Sequence, residues 1–214
     1  MRNIGSIVMG FILLAGLAVQ STAAEITVEE VIAKHLQASS RLDNLKADAQ
    51  LHLQVLLGVL PYSEKLSGHY FYLKPDKHKL EFPDAPSYLQ KAPSMFNWNL
   101  PDTDKYNVVA VAPKEGEGET GYRLFYKPKR ADSSTQSITC TFDSETWRLT
   151  KQETAYKDGG SVKLQFSYKK DPKMPILDKV TAAVSIPAYK LTGDAVISFS
   201  SQAPNKGLDP SVFN

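Results

Sequence analysis

The chain has 214 residues, of which 42% are hydrophobic, and 25 lysine and arginine residues stand against 23 acidic ones. A formal net charge of +2 falls well short of the basic surface that nucleic-acid binding needs, so the composition argues against a nucleic-acid partner. Cys140 is the single cysteine of the sequence, so no disulfide can form within the chain and stability must come from a hydrophobic core.

The first 24 residues have the pattern of a secretory signal peptide. Arg2 supplies a positive charge, residues 7–19 are apolar, and Ser-Thr-Ala-Ala at 21–24 offers small residues for cleavage. The apolar stretch is shorter than the ~20 residues that a spanning helix needs. No cysteine follows the cleavage region to carry a lipid. We therefore predict a signal peptide at 1–24 and one domain at 25–214, a periplasmic monomer without a lipid anchor.

An amphipathic helix is predicted over residues 27–41. Thr27 and Glu30 have the spacing of a capping box, in which a hydroxyl and a carboxylate three residues apart satisfy backbone N–H groups at the start of a helix. The apolar residues that follow recur at helical spacing: Val28, Val31, Ile32 and Leu36.

From residue 47 onward the apolar period is two, which is typical of β-strands. Turn residues separate the apolar runs at spacings that suit consecutive hairpins, and we interpret 58–63 and 192–194 as two of these turns. About ten strands are predicted, in an antiparallel meander: 47–57, 65–74, 78–82, 106–112, 121–126, 136–142, 147–156, 161–168, 179–186 and 195–200.

Residues 83–104 do not share this period. The segment is rich in proline, which excludes regular strand pairing, yet residues such as Phe96 and Trp98 are too apolar for a solvated linker. Two interpretations stay open at this point: a lid across the mouth of a cavity, or an edge loop that simply packs.

A sheet of about ten strands is too large to stay flat and curls with its native twist. The predicted helix is the one helical element with an apolar stripe to fill the concave side, and it is too small to fill it, so we expect an apolar cavity beside the helix. The fold class is thus mainly β (α+β), a curled antiparallel sheet wrapped around an N-terminal helix. The residues predicted to line the cavity are Leu51, Leu53, Val55, Tyr70, Tyr72, Leu80, Phe82, Val109, Val111, Phe125, Phe142, Leu164 and Phe166.

The sequence shows none of the common catalytic motifs, whether a GxSxG elbow, HExxH, a P-loop or CxxC. His52 and His69 flank a hairpin and are a weak metal-site candidate, because no acidic or cysteine ligand accompanies them at ligand spacing. His35, beside the helix stripe, is expected to be a boundary residue, and Cys140, in an alternating run, is expected to be a small buried residue of a strand. We therefore predict no enzyme activity, no cofactor and no metal.

The order of these features resembles the LolA/LolB-like family of periplasmic lipoprotein carriers. The helix is followed by Arg-Leu-Asp-Asn-Leu-Lys-Ala-Asp at 41–48 and a long strand. Residues 68–75, Gly-His-Tyr-Phe-Tyr-Leu-Lys-Pro, are similar to an early hairpin of the family, and 205–213 resemble its Asn-x-x-Leu-x-x-Ser-x-Phe tail. The resemblance implies an unclosed antiparallel barrel with a cavity for acyl chains.

Two departures from the family pattern concern the cargo more than the fold. Lys74 stands where the family has an arginine before the proline, and lysine lacks the planar fork of a guanidinium. The Asp-Gly-Lys-x-x-Trp/Tyr segment of the family is missing, and the proline-rich segment stands in its place. Lys74 is accordingly either a contact for cargo or partner, or an ordinary turn lysine.

The function that this resemblance implies is a periplasmic carrier or chaperone for the acyl chains of lipoproteins or other lipids. Its implied partners are an inner-membrane release complex and an outer-membrane acceptor. The alternative is a sensor or interaction module on the same scaffold, which reads a lipid or lipoprotein and signals to a membrane partner.

Overall fold

The computed structural model describes residues 26–85, 98–113, 121–170 and 174–213. These residues contain one α-helix, α1 (Val28–Ala38), and short 3₁₀ helices at Thr103–Lys105, Pro187–Tyr189 and Pro210–Phe213. The strands are β1 (Asn44–Leu57), β2 (Leu60–Leu73), β3 (Lys77–Glu81), β4 (Tyr106–Val111), β5 (Gly121–Pro128), β6 (Thr135–Asp143), β7 (Leu149–Tyr156), β8 (Ser161–Tyr168), β9 (Leu177–Ile186) and β10 (Leu191–Pro204).

All ten strands form one antiparallel sheet in the order β3-β2-β1-β10-β9-β8-β7-β6-β5-β4. The first long strand therefore pairs with the last, and the sheet ends at β3 and β4 without closing. The proline-rich segment joins these two edge strands. The predicted mainly β fold, an unclosed curled sheet with an N-terminal helix, is confirmed.

The capping box predicted from Thr27 and Glu30 is present at the start of α1. The Thr27 hydroxyl accepts a hydrogen bond from the Glu30 backbone N–H at 3.2 Å, and the Glu30 carboxylate accepts one from the Thr27 N–H at 3.0 Å. The helix packs its buried Val31 into the core and ends three residues earlier than predicted. No helix among the described residues is both long enough and apolar enough to cross a membrane.

Two predicted turns are wrong, because strands run through them. The β1–β2 connection is only Gly58 and Val59, and β2 continues through Pro61. Residues 60–68 of β2 pair with β1 alone, since β3 begins its pairing at His69, so the missing N–H of Pro61 is tolerated at an edge.

Gly193 also lies within a strand rather than in a turn, where it pairs with Val55 of β1. A Cβ atom at Gly193 would stand 2.2 Å from the Gln54 carbonyl oxygen, so close approach of the two backbones explains this glycine. The real turn is the 3₁₀ helix Pro187–Tyr189 followed by Lys190.

The hydrophobic core lies on the concave face of the sheet, under α1. Alternate residues of β1 from Leu45 to Leu51 are buried, and alternate residues of β6, β8 and β9 meet them from the other side. Cys140 is one of these buried residues, as expected, and burial raises the pKa of its thiol. The core is the structural base for the site below.

Candidate functional site

Most residues predicted to line a cavity lie on the concave face, although this placement does not test whether they bind lipid. Leu53 is half-buried and packs against the core, whereas Val55 is buried outside it, toward the β1–β2 turn. Those buried within the core are Leu51, Tyr70, Tyr72, Leu80, Phe82, Phe142, Leu164 and Phe166.

The face predicted for Val109, Val111 and Phe125 is wrong. Val109 and Phe125 sit directly opposite each other on β4 and β5, and 59% and 44% of their surfaces are exposed. The inward residues of β5 are instead Leu124 and Tyr126, both fully buried. Val111 shares the outer face with Val109 because side chains alternate along a strand. A shift of one residue reverses the face of a whole strand, and β5 has apolar residues on both faces.

A small cavity of about 50 Å³ lies between the end of α1 and the concave side of the sheet. Strands β1–β3 and β7–β9 contribute to its walls, together with Trp98 from the end of the proline-rich segment. Its lining residues are His35, Ser39, Leu42, Leu45, Tyr70, Tyr72, Asp76, His78, Trp98, Arg148, Leu149, Phe166, Tyr168, Pro175 and Leu177.

Aromatic rings make up much of this lining, and Trp98 lies at their centre. Its ring centroid is 5.9 Å from that of Tyr70, 6.0 Å from that of Phe166 and 6.1 Å from that of His78. Tyr70 also contacts Phe199 of β10 at 4.9 Å. Such tilted and edge-on contacts are the favoured geometry for aromatic pairs, so the rings hold Trp98 against the sheet.

A hydrogen-bonded chain of three side chains runs along one wall of the cavity. The Tyr70 hydroxyl lies 2.7 Å from Nδ1 of His78, and Nε2 of His78 lies 3.1 Å from Oδ1 of Asp76. A carboxylate can only accept, so Nε2 donates to Asp76, and in the neutral ring Nδ1 then accepts from Tyr70. These two hydrogen bonds fix the orientation of the His78 ring.

The same carboxylate ties the proline-rich segment to the β2–β3 hairpin. Oδ2 of Asp76 accepts a hydrogen bond from the Leu100 backbone N–H at 3.1 Å. The Asn99 side-chain oxygen accepts one from the His78 backbone N–H at 3.2 Å. Trp98 is thereby fixed by its own backbone neighbours as well as by ring contacts. Residues 86–97, the middle of the segment predicted as lid or loop, lie outside the described residues.

The tyrosine hydroxyls of the cavity are held protonated. Burial raises the pKa of Tyr72 to about 12, and it raises the pKa values of Tyr70 and Tyr168 as well. The Tyr72 hydroxyl donates to the Pro75 carbonyl oxygen at 3.1 Å, and that of Tyr168 donates to the Leu149 carbonyl oxygen at 2.8 Å. These groups therefore act as hydrogen-bond donors within the wall and are poorly suited to act as bases or nucleophiles.

Helix α1 covers the cavity through a few specific contacts. His35 is buried, its Nδ1 lies 2.9 Å from the Trp147 carbonyl oxygen, and its ring meets Phe142 edge-on at 5.1 Å. The Lys34 ammonium lies 4.3 Å from the centroid of the Trp147 ring, which stacks on Tyr122. His35, expected to be a boundary packing residue, thus packs in the wall of the cavity.

Lys74 lies at the end of β2 and joins the helix connection to the sheet. Its ammonium is 3.1 Å from Oδ1 of Asp43 and 3.3 Å from the Ser40 carbonyl oxygen. Asn205, the first residue of the tail motif, accepts from the Asp43 N–H at 2.8 Å and donates to the Arg41 carbonyl oxygen at 2.9 Å. These contacts describe an anchoring role, and contact of Lys74 with cargo or a partner stays a prediction.

The two histidines suggested as a weak metal site do not face each other. His52 sits opposite Lys65, and His69 sits opposite Asp48, whose carboxylate is 3.5 Å away. Within the part of the chain that the structure describes, no group of three or more histidine, cysteine or acidic side chains is arranged to hold a metal ion.

Sequence reasoning missed the polar members of the site. Asp76 lies in a predicted turn, where an aspartate is ordinary, and His78 begins a short strand. The signal that could have found them is their spacing of two, since both side chains then lie on one side of the hairpin end, near the tyrosine of the paired strand. Arg148 and Tyr168 were likewise not singled out.

Comparison with known proteins identifies the fold. No protein-family model matches the sequence, and no curated protein matches it. Among solved structures, an outer membrane lipoprotein-sorting protein domain from Vibrio parahaemolyticus is similar, with 13% identity and a TM-score of 0.60, over 86% of this chain and 95% of that one.

Two further structures give the same result. A LolA superfamily protein from Nitrosomonas europaea has 9% identity and a TM-score of 0.57, over 88% of this chain and 98% of that one. A DUF1329 family protein from Desulfovibrio piger has 13% identity and a TM-score of 0.56, over 86% and 95%. The chain therefore shares its overall fold with these three solved structures.

Proposed function

We propose that this protein is a periplasmic carrier that shields the acyl chains of lipoproteins or other lipids and passes them toward the outer membrane. The observation that carries the proposal is the concave face of the unclosed sheet, where aromatic and aliphatic side chains surround a cavity under α1. The similarity of fold to a lipoprotein-sorting domain supports it.

The lining favours apolar cargo over polar ligands. The Tyr70, Tyr72 and Tyr168 hydroxyls donate to groups of the protein itself, and His78 is held between Tyr70 and Asp76. These four side chains are engaged within the protein, whereas the ring faces and methyl groups of the lining suit methylene chains. Binding and release of such cargo need no chemical step, so we infer a carrier rather than an enzyme.

Loading requires the cavity to grow, because about 50 Å³ is far below the roughly 300–1,000 Å³ of ordinary ligand pockets. We infer that α1 moves. Val31 is the one apolar residue of the helix that is fully buried, and burial of such a side chain is worth about 1.5–3 kcal/mol. His35 is buried as well, and Val28 and Ile32 pack against the core, so the acyl chains must also replace these contacts. About ten buried methylenes contribute about 8 kcal/mol toward that cost.

The transfer partners that suit this role are an inner-membrane release complex and an outer-membrane acceptor, with the protein itself acting as a monomer. Release then depends on an acceptor that competes for the chains. Lys74, at the entrance to the β2–β3 turn, is 48% exposed at its side chain and is the residue we assign to contact with cargo or partner.

The test is the lipid content of the protein from its own host. We would purify it from the periplasmic fraction under mild conditions, then record native mass spectra and extract bound lipid. A stoichiometric adduct that carries acyl chains is expected. A protein that is free of lipid and takes up neither added phospholipid nor lipoprotein would contradict the proposal.

A matched pair of variants tests the face assignment. Leu53→Asp places a charge on the half-buried inner face of β1 and should reduce lipid uptake at least tenfold, because an unpaired carboxylate is costly beside methylenes. Val109→Asp places the same charge on the outer face and should leave uptake unchanged. Equal uptake by a folded Leu53→Asp protein would show that this part of the face does not contact lipid.

A further inference from the structure

An exposed apolar tip stands at the end of the β1–β2 hairpin, and we define it as residues 56–61. Val59 is 90% exposed and Leu60 is 68% exposed, while Leu56 and Leu57 are exposed by 46% and 45%. Single exposed apolar residues are common on protein surfaces, but a contiguous cluster of this kind marks a contact surface. The tip lies at the far end of β1 from the cavity, so the proposed cargo site does not explain it.

The tip has a defined shape. Gly58 and Val59 form a two-residue turn, and Gly58 adopts the positive φ of +65° that such turns need at their first position. The Gly58 backbone N–H donates to the Lys190 carbonyl oxygen at 2.8 Å, which ties the hairpin to the neighbouring turn before β10. The chain therefore presents Val59 and Leu60 on a convex, supported turn.

The surface behind the tip is also apolar. Leu51, Leu53, Val55 and Leu57 alternate along β1 on its concave face. Leu57 lies opposite Leu60 on β2 and opposite Leu191 on β10. The inner-facing residues of β1 are thus apolar from the core to the tip, and Glu64 of β2 is the charged residue that lies beside them, opposite Leu53.

Charged and amphipathic residues begin only behind the tip. Residues 53–61 contain no charged side chain, Lys190 is exposed beside the turn, and charges of both signs follow further along β2 and β10 at Glu64, Lys65 and Asp194. Tyr62 follows the tip directly. The Tyr62 hydroxyl donates to the Glu64 carboxylate at 2.6 Å. The apolar end is thus followed by polar and charged groups, an order that suits the membrane interface, where apolar side chains enter the lipid and polar groups stay in the headgroup layer.

We propose that this tip docks on the surface of a phospholipid bilayer and inserts Val59 and Leu60 between the headgroups. The tip is small for a stable protein interface, which takes ~20–30 residues on each side, but a short convex apolar turn is sufficient to enter a fluid interface. Lys190 lies where it meets anionic headgroups. This contact goes beyond the proposed carrier function and stands on different residues.

The direct test uses a fluorophore at the tip. Val59→Cys can be labelled with an environment-sensitive dye, because the native Cys140 is fully buried. Vesicles of phosphatidylethanolamine and phosphatidylglycerol should raise the emission of the dye and shift it to the blue. The same dye at Val109→Cys, on the outer face of β4, should not respond. No response at residue 59, or an equal response at both positions, would overturn the proposal.

Sedimentation with the same vesicles tests how much Val59 and Leu60 contribute to the affinity for the bilayer. The double variant Val59→Asp/Leu60→Asp should bind at least about tenfold less than the natural protein, and Val109→Asp should bind equally well. Both sites are exposed, so circular dichroism should show an unchanged fold. A tip variant that binds vesicles as well as the natural protein would overturn the proposal, as would a natural protein that binds no vesicles because its tip contacts a protein instead.

Failure of docking and failure of the carrier function are distinguishable. The tip variants should still take up a fatty acid supplied from solution, while a Phe166→Asp protein that circular dichroism shows to be folded should lose that uptake, because Phe166 lines the cavity. If the tip variants lose fatty-acid uptake as the cavity variant does, while the cavity variant still binds vesicles, the separation of the two surfaces would be contradicted.

Discussion

Two aspartate–histidine pairs near the β1–β3 edge differ in burial. Asp48 and His69 are 3.5 Å apart, with side chains 51% and 44% exposed. Asp76 and His78 are 3.1 Å apart and only 23% and 19% exposed. Exposed pairs contribute little because water screens them, whereas a half-buried carboxylate that also accepts from a backbone N–H stabilises what it holds.

Asp76→Ala should therefore lower the free energy of unfolding by about 1–3 kcal/mol, since it leaves His78 and the Leu100 N–H without their acceptor. Asp48→Ala is the matched control and should cost less than about 1 kcal/mol. Urea unfolding of both variants measures the difference. Equal losses would show that Asp76 does not hold the segment at Trp98.

His35 makes stability depend on pH. Burial lowers its pKa from 6.5, and the hydrogen bond to the Trp147 carbonyl oxygen offsets only part of this effect. Below about pH 6.5 the unfolded chain therefore binds a proton at this position that the folded chain does not, so this residue makes stability fall as the pH decreases and recover above that value.

We expect the urea midpoint to be lower at about pH 5 than at about pH 7.5 for the natural protein, and the difference to shrink in His35→Gln. The comparison between the two proteins isolates His35 from the other titrating groups. An identical pH dependence in the variant would mean that His35 is not held neutral in the fold.

At the scale of single residues, the sequence predicts what depends on local chemistry. The capping box of Thr27 and Glu30 and the burial of Cys140 follow from spacing and alternation. The site around Asp76 does not follow from spacing and alternation. The role of Asp76 depends on Leu100 and Trp98, which lie more than 20 residues further along the chain, outside the helices and strands.

Among the elements, the β2–β3 hairpin depends on close approach at Gly68. A Cβ atom there would lie 1.9 Å from the Glu81 carbonyl oxygen, at the end of β3. Gly68→Ala should therefore push β3 away and lower the free energy of unfolding by about 1–3 kcal/mol.

Ser67→Ala, at the exposed neighbouring position, is the control and should change stability by no more than about 0.5 kcal/mol. Urea unfolding of the two variants provides the comparison. A neutral Gly68→Ala would mean that the strands separate easily at this point.

The number of strands is predictable from period and turn chemistry, but their ends are not. The predicted antiparallel meander is wrong at one connection, because the consecutive strands β3 and β4 lie at opposite edges of the sheet. Residues 58–63 contain glycine and proline and so suggest a turn, yet the edge position of β2 accommodates Pro61. Gly193 suggests a turn as well, but a glycine is required there because the backbone of β10 lies in close contact with Val55 of β1. In both cases the neighbouring strand decides, and the local sequence does not identify that neighbour.

For the whole molecule, the curled sheet and its helix are predictable from the sequence, whereas the pairing of the first long strand with the last strand is not. β1 pairs with β10, and the edges fall at β3 and β4. No local pattern encodes such a long-range pairing. The inner face of β5 was predicted wrongly for a related reason, because both faces of that strand carry apolar residues and only the packing against α1 and the core distinguishes them.

The central claim is that acyl chains enter the space beneath α1. Trp98 lines the cavity, whereas Trp147 packs outside it against Tyr122, and the sequence has only these two tryptophans. This allows one fluorophore to report on the cavity and the other to serve as the control.

The measurement is quenching of tryptophan emission by a brominated fatty acid. In Trp147→Phe, where Trp98 alone emits, we expect saturable quenching at a stoichiometric ratio. In Trp98→Phe, where Trp147 alone emits, we expect much weaker quenching. Emission of Trp98 that is unchanged at saturating fatty acid, or equal quenching of both tryptophans, would contradict entry of acyl chains into the cavity.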